Sequence, residues 1–129
     1  MREVGIKSAE NLGLSIHKTG TVVVINGPRF SSKAESKFFT AQGWEVINMT
    51  QYPEAYLVKE MDMCPLNISL ITDYDAGLVG DCDPVSHGAV MEVFKQNIAN
   101  LEKLLREIIA NVDENKPCKC HTTKVDSRF

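Results

Sequence analysis

Three short segments of this chain carry side chains suited to chemistry. Gly27-Pro28-Arg29-Phe30-Ser31 offers an aromatic face and a hydroxyl, Asn48-Met49-Thr50 a thioether and a second hydroxyl, and Asp73-Tyr74-Asp75 two carboxylates. Together they offer an aromatic face, a thioether, hydroxyls and two carboxylates, and taken singly none of these supports a function. Each segment also has a plainer reading. Phe30 can be core, Met49 a gap-filler, Thr50 the start of a helix, and Asp73 and Asp75 turn caps or a magnesium pair. Cys118-Lys119-Cys120-His121 forms a C-x-C-H cluster that could bind metal or form a strained local disulfide. Zinc needs four ligands, and no second ligand pair stands at a suitable spacing, so the expectation is an exposed tail without metal.

The elements that must position these segments alternate in hydrophobic period between about 2 and about 3.6. Helices are expected over Arg2–Leu12, stopped by Gly13, and over Ser32–Gln42, where Ser32 and Glu35 have capping-box spacing and Gly43 the terminating role. Thr21–Asn26, Trp44–Met49 and Leu66–Thr72 read as strands, the first buried on both faces. Pro53–Met61 reads as a short helix, and Ala76–Pro84 as a loop rich in Gly and Asp. Ser86 is the expected N-cap of a long last helix. Its apolar residues Val90, Phe94, Ile98, Leu101, Leu105 and Ile108 form one stripe, expected to be core.

Strand, helix, strand, helix, strand, long helix predicts an α/β fold with a mixed, mostly parallel sheet flanked by helices. In such folds ligands bind beyond the carboxyl ends of the strands, so the three segments should converge on one edge. Three strands alone make a narrow sheet, as if the chain were part of a larger domain. The expected domain is 1–111, followed by a polar tail over 112–129. A net charge of −3 with scattered Lys and Arg gives no basic face for nucleic acid. The longest apolar run, Val22–Ile25, cannot span a bilayer, and the opening residues lack the unbroken apolar stretch of a leader. The expected localisation is cytoplasmic, with no membrane partner.

The segments NGPRFSSKAES (26–36), VINMTQYPEAYLVKE (46–60) and LITDYDAG (70–77) resemble, in order and separation, those of 5′-methylthioadenosine phosphorylases and related trimeric purine nucleoside phosphorylases. The resemblance runs from near residue 2 to about Ile109. It implies the C-terminal part of a nucleoside-phosphorylase α/β fold, with a purine nucleoside and inorganic phosphate as substrates, the phosphate serving as co-substrate, and no cofactor or metal. Phe30 would flank the purine and sugar, and Asn48 and Met49 would hold the ribose. Thr50 would donate to phosphate, and Asp73, with Tyr74 and Asp75 beside it, would face the N7 and amino edge of the base. Asp73 and Asp75 are thus the implied catalytic pair.

That assignment makes chemical sense. The N-glycosidic bond breaks through an oxocarbenium-like sugar, and a hydrogen bond or proton at N7 stabilises the departing purine. A free Asp has a pKa of about 3.9, so acid catalysis by Asp73 requires burial or a nearby Asp75 to raise it. Relatives that prefer 6-oxopurines carry Glu after the Phe and Asn in place of Asp73. Ser31 and Asp73 therefore imply adenine nucleosides. On the 5′ side, His87 stands where methylthioadenosine-specific members carry a small apolar residue, with Val90 and Met91 as apolar wall. His87 reads either as a 5′-hydroxyl contact or as an exposed first-turn residue.

The resemblance further implies an N-terminal part that is absent from these 129 residues. It would carry a Gly-rich phosphate loop, an Arg-His pair and residues closing a neighbouring subunit's site. A homotrimer, or a hexamer built from trimers, would depend on it. Three readings stay open: a phosphorylase in purine and methionine salvage that works with its other half, a nucleoside-binding module without catalysis, and a non-functional remnant.

Overall fold

The structure is a computed structural model describing residues 1–78, 82–115, 118–122 and 125. In chain order the elements are α1 (Arg2–Asn11), β1 (Val22–Val24), α2 (Lys33–Ala41), β2 (Val46–Asn48), α3 (Gln51–Glu60) and α4 (His87–Ala110), then a 3-10 turn at Lys119–Thr122. They divide into two compact units. One comprises Met1–Ile16, Thr50–Ile68 and Asn100–Phe129, the other His17–Met49 and Ser69–Ala99. The α/β class expected from the sequence is the observed one.

The first unit is held by apolar packing. Ala9 of α1 and Leu104 and Ile108 of α4 form its buried cluster, with Val4, Leu14, Ile16, Leu66 and Ile68 packed against it. The spacing of Leu104 and Ile108 puts both on one helix face. α1 ends as its sequence implies: Gly13 donates to the Glu10 carbonyl at 3.0 Å and Leu14 to that of Ala9 at 3.0 Å. That pair of bonds satisfies carbonyls the last turn would otherwise leave bare.

The second unit contains a βαβ crossover. β1 and β2 are parallel, in register Val22↔Val46, Val23↔Ile47 and Val24↔Asn48, and Ile25 N–H extends the ladder to Asn48 O at 2.9 Å. The helix between them starts where the sequence places it. Glu35 N–H donates to Ser32 Oγ at 3.3 Å, while Ser32 N–H donates to Glu35 Oε2 at 2.8 Å. Both halves of the capping box are thus present. At the other end Gly43 adopts φ +71°, a region costly for residues bearing a Cβ. Phe38, Phe39 and Trp44 gather there with ring centroids 6.0–6.2 Å apart.

Several expectations are corrected. Among the described residues the sheet has two strands, and Leu66–Thr72 is not one of them. Its exposure does alternate residue by residue, as a strand's would. The segment is shared, however, Leu66 and Ile68 packing on the first unit's core while Ser69 onward belongs to the second. β1 is half-buried, not enclosed on both faces, because a two-stranded ribbon covers little of its own surface. Helix α3 begins earlier than expected, at Gln51, with a non-helical Tyr52 just inside it. The apolar stripe of α4 is not uniformly core. Ile108 is buried, but Phe94, Ile98 and Leu105 are each about two-fifths exposed, and the buried partner of Ile108 is Leu104. Ser86 does cap α4, its Oγ accepting from Ala89 N–H at 3.3 Å. Part of the 76–84 loop, residues 79–81, lies outside the described residues.

Candidate functional site

The polar centre of the second unit is the turn after Thr72. Asp73 Oδ1 accepts from the Asp75 backbone N–H at 2.8 Å, and Thr72 Oγ1 donates to Asp73 Oδ2 at 2.6 Å. An Asp bonded to the amide two residues on is an Asx turn, so the turn-cap reading of D-x-D is realised here. Asp75 sits at φ +54°, which Asp tolerates better than most residues, and its carbonyl accepts from Val85 N–H at 2.7 Å. Gly77 follows at φ +67°. A Cβ there would lie 2.8 Å from the Cys82 carbonyl oxygen and 3.0 Å from Pro84 N, so the turn closes tightly on the chain that leads to α4.

The Asp75 carboxylate accepts from two hydroxyls, Ser31 Oγ on Oδ1 and Ser36 Oγ on Oδ2. Ser36 lies 3.2 Å from Ser31 Oγ, donates also to the Ser32 carbonyl at 3.1 Å, and is only 4% exposed. This triangle ties the loop after β1 and the first turn of α2 to the Asp73–Asp75 turn. Sequence reasoning singled out Ser31 and Asp75 but missed Ser36. The available signal was its place one helical turn after Ser32, facing back toward the loop.

The same loop is held from its other side. Arg29 donates to Glu35 from Nη1 at 2.8 Å and from Nη2 at 2.7 Å, and to the Phe30 carbonyl at 3.2 Å. The guanidinium, with the amide and hydroxyl of Ser32, holds the Glu35 carboxyl down at about 2. The guanidinium is correspondingly raised above its ordinary value, chiefly by the hydrogen bond to Glu35. Phe30 and Ser31 thus sit between two fixed points, Arg29–Glu35 and Asp75.

The remaining expected residues distribute as follows. Met49 lies over Gly27, its sulfur 2.8 Å from where a Cβ on that glycine would stand, so the loops after β1 and β2 meet. Asn48 is half-buried at the end of β2. Phe30, Met49, Tyr74 and Met91 are exposed by 43%, 36%, 60% and 39%, so these apolar faces are open to a ligand, not sealed in core. The core reading of Phe30 is thereby removed. His87 is exposed at the first position of α4, and Val90, one turn on, is half-buried. Thr50 falls in the other unit, at the N-cap position of α3, and makes no side-chain cap bond. Among the described residues every buried side-chain N or O atom has a hydrogen-bond partner.

A βαβ unit whose two post-strand loops carry an aromatic ring and a thioether, tied by hydroxyls to a turn that carries two carboxylates, is a candidate small-molecule site. Residues 1–110 match the family described as the phosphorylase superfamily, and the chain belongs to it. The S-methyl-5′-thioadenosine phosphorylase of Pyrococcus abyssi is 43% identical over 120 residues, covering 93% of this chain and 45% of that protein. A probable 6-oxopurine nucleoside phosphorylase of Dictyoglomus turgidum is 34% identical over 120 residues, covering 93% and 44%. Among solved structures, a doubly substituted adenosine/methylthioadenosine phosphorylase from Schistosoma mansoni, in complex with adenine, superimposes with a TM-score of 0.88 at 27% identity. That match covers 98% of this chain and 52% of the other. The chain therefore spans about half the length of the relatives it matches. No helix among the described residues is long and apolar enough to cross a membrane.

Proposed function

We propose that this chain is the base- and sugar-binding part of an adenine-selective nucleoside phosphorylase, acting on 5′-methylthioadenosine with inorganic phosphate to give adenine and 5-methylthioribose-1-phosphate. The observation that carries the reading is the Ser31–Ser36–Asp75 triangle beside Asp73. Each Asp73 oxygen already accepts one hydrogen bond and keeps a second lone pair. A carboxylate so held can accept from the 6-amino group of adenine, which a 6-oxopurine lacks, or face N7 as the base departs. Phe30 and Met49 supply the apolar surface for purine and ribose, with Asn48 and Tyr74 at its rim. Val90 and Met91 face the 5′ group. Thr50 donates to phosphate, and Asp75 acts through its hold on Asp73. No cofactor takes part. The relatives this chain matches are about twice as long, and the remaining phosphate ligands, with the homotrimer in which such a site closes, would come from the part of those relatives that this chain does not cover. The cytoplasm is the setting for such salvage.

The test is adenine release from methylthioadenosine with and without phosphate, comparing wild type with Asp73→Asn in whichever form turns over. Phosphate-dependent release reduced by about 10²–10⁴-fold in the variant is expected for a residue that stabilises the leaving group. Release that ignores phosphate, or an Asn variant of unchanged rate, contradicts the proposal. The likeness to the 6-oxopurine enzyme supports a second reading, broader purine specificity, which predicts comparable rates with inosine.

A further inference from the structure

The first unit contains a cluster of reactive groups that plays no part in the candidate site. The Sγ atoms of Cys64, Cys118 and Cys120 all lie within 4.8 Å of one another, although 54 residues separate the first two. Cys64 follows the turn that ends α3, where Met63 N–H donates to the Val58 carbonyl at 3.0 Å and Asp62 stands at φ +55°. Cys120 lies in the 3-10 turn Lys119–Thr122, pinned by Thr122 Oγ1 donating to the Lys119 carbonyl at 3.1 Å. Two turns thus bring together thiols that the C-x-C spacing alone could not relate.

We propose that Cys64, Cys118 and Cys120 form a three-thiolate site for a single soft d10 cation, zinc(II) being the divalent case, with a fourth position left to water or an exogenous donor.

Three lines of geometry and chemistry carry this. First, tetrahedral zinc with Zn–S bonds of about 2.3 Å sets ligand sulfurs roughly 3.8 Å apart. All three sulfurs lie within 4.8 Å of one another, at most about 1 Å beyond that value, and the Cys64–Cys118 pair, at 3.0 Å, would open by less than about 1 Å. Second, a cation engages all three thiols, whereas a disulfide between any two strands the third. Third, zinc(II) binds thiolates, and its arrival releases the thiol protons to solvent. Lys119, between the two C-terminal cysteines, offsets the net −1 of three thiolates around a divalent ion.

The site would close the segment after residue 112 onto the end of α3, a staple distinct from the nucleoside chemistry. The test uses the 129-residue chain, freed of metal and reduced with a phosphine in place of a thiol. Titration with Co2+ should develop sulfur-to-cobalt charge-transfer absorption and the visible bands of tetrahedral cobalt, saturating at one equivalent, and one equivalent of Zn2+ should abolish both. Cys64→Ser, Cys118→Ser and Cys120→Ser should each weaken cobalt binding about tenfold or more, because even outer-shell changes cost that much. Cys82→Ser should leave it unchanged. Should the variants misfold, the wild-type chain supplies its own readout: Zn2+ should slow alkylation of Cys64, Cys118 and Cys120 but not of Cys82. No thiolate band at stoichiometric Co2+, alkylation indifferent to Zn2+, or a Cys64–Cys118 disulfide in metal-free purified protein would each overturn the proposal.

Discussion

The two units are stabilised by opposite means. The first is an apolar meeting of helices, with Ala9, Leu104 and Ile108 buried to 1%, 8% and 5% exposure. The second has little of that. Its buried residues include Ile25, Ala76 and the hydroxyl-bearing Ser36, and its order comes from hydrogen bonds converging on Asp73 and Asp75. Large apolar side chains such as Phe30, Tyr74 and Met91 stay exposed around that network. The contrast separates two jobs. A packed core tolerates no ligand, whereas a polar frame that fixes loops while leaving aromatic faces open is what a binding edge requires.

Substitutions should break this contrast unit by unit. Leu104→Ala removes a buried side chain from the first core and should cost about 2–5 kcal/mol, read as a lowered urea midpoint. Protection from hydrogen exchange should fall first at α1 and the second half of α4. Asp75→Ala attacks the other unit by another route. It leaves the Ser31 and buried Ser36 hydroxyls without their acceptor, costing about 1–3 kcal/mol, with exchange rising in the loop after β1. If that loss appeared instead at α1, the hydrogen bonds on Asp75 would not be what orders the loop after β1.

Smaller effects sharpen the picture of the loops. Gly77→Ala should cost more than about 1 kcal/mol, because a Cβ at φ +67° meets backbone that cannot move aside. Ser32→Ala should cost about 1 kcal/mol by uncapping α2, measured by the same unfolding curves. The smallest effect is a pH dependence carried by Glu35. Its carboxyl is lowered from 4.5 to about 2 on folding, so the unfolded chain binds that proton first. The stabilisation is therefore fully present above about pH 4.5 and disappears as pH falls through about 2. Glu35→Gln should flatten that part of the acid-unfolding curve. Because Arg29 is exposed and Glu35 is about one-third exposed, salt should diminish the effect.

Local rules were legible wherever the structure depends on local chemistry. The capping box at Ser32 and Glu35, the Gly13 and Gly43 stops, the Ser86 cap and the parallel βαβ pairing all follow from neighbouring residue types. Leu66–Thr72 was misread because a β-branched alternation looks the same whether or not a partner strand exists. Which units share the segment is decided by packing far along the chain. The α4 stripe was misread for a related reason: periodicity gives a helix an apolar face but not what covers it. In the site, the residue types at Ser31, Asp73 and Asp75 could be read directly. The role of Ser36 could not, since a serine one turn into a helix is ordinary until a carboxylate 39 residues away is found against it. Cys64 was hidden from the C-x-C motif by the same kind of distance.

The preference for an amino-bearing base can be read by calorimetric titration of the folded chain with methylthioadenosine, and with inosine, for wild type and Asp73→Asn. Wild type should bind methylthioadenosine about tenfold or more tightly than inosine, because a site built to accept from an amino group leaves its acceptor unpaired against a 6-oxo base. Asp73→Asn should erase that preference. Equal affinity for the two nucleosides, or a preference untouched by Asp73→Asn, would contradict that reading of Asp73.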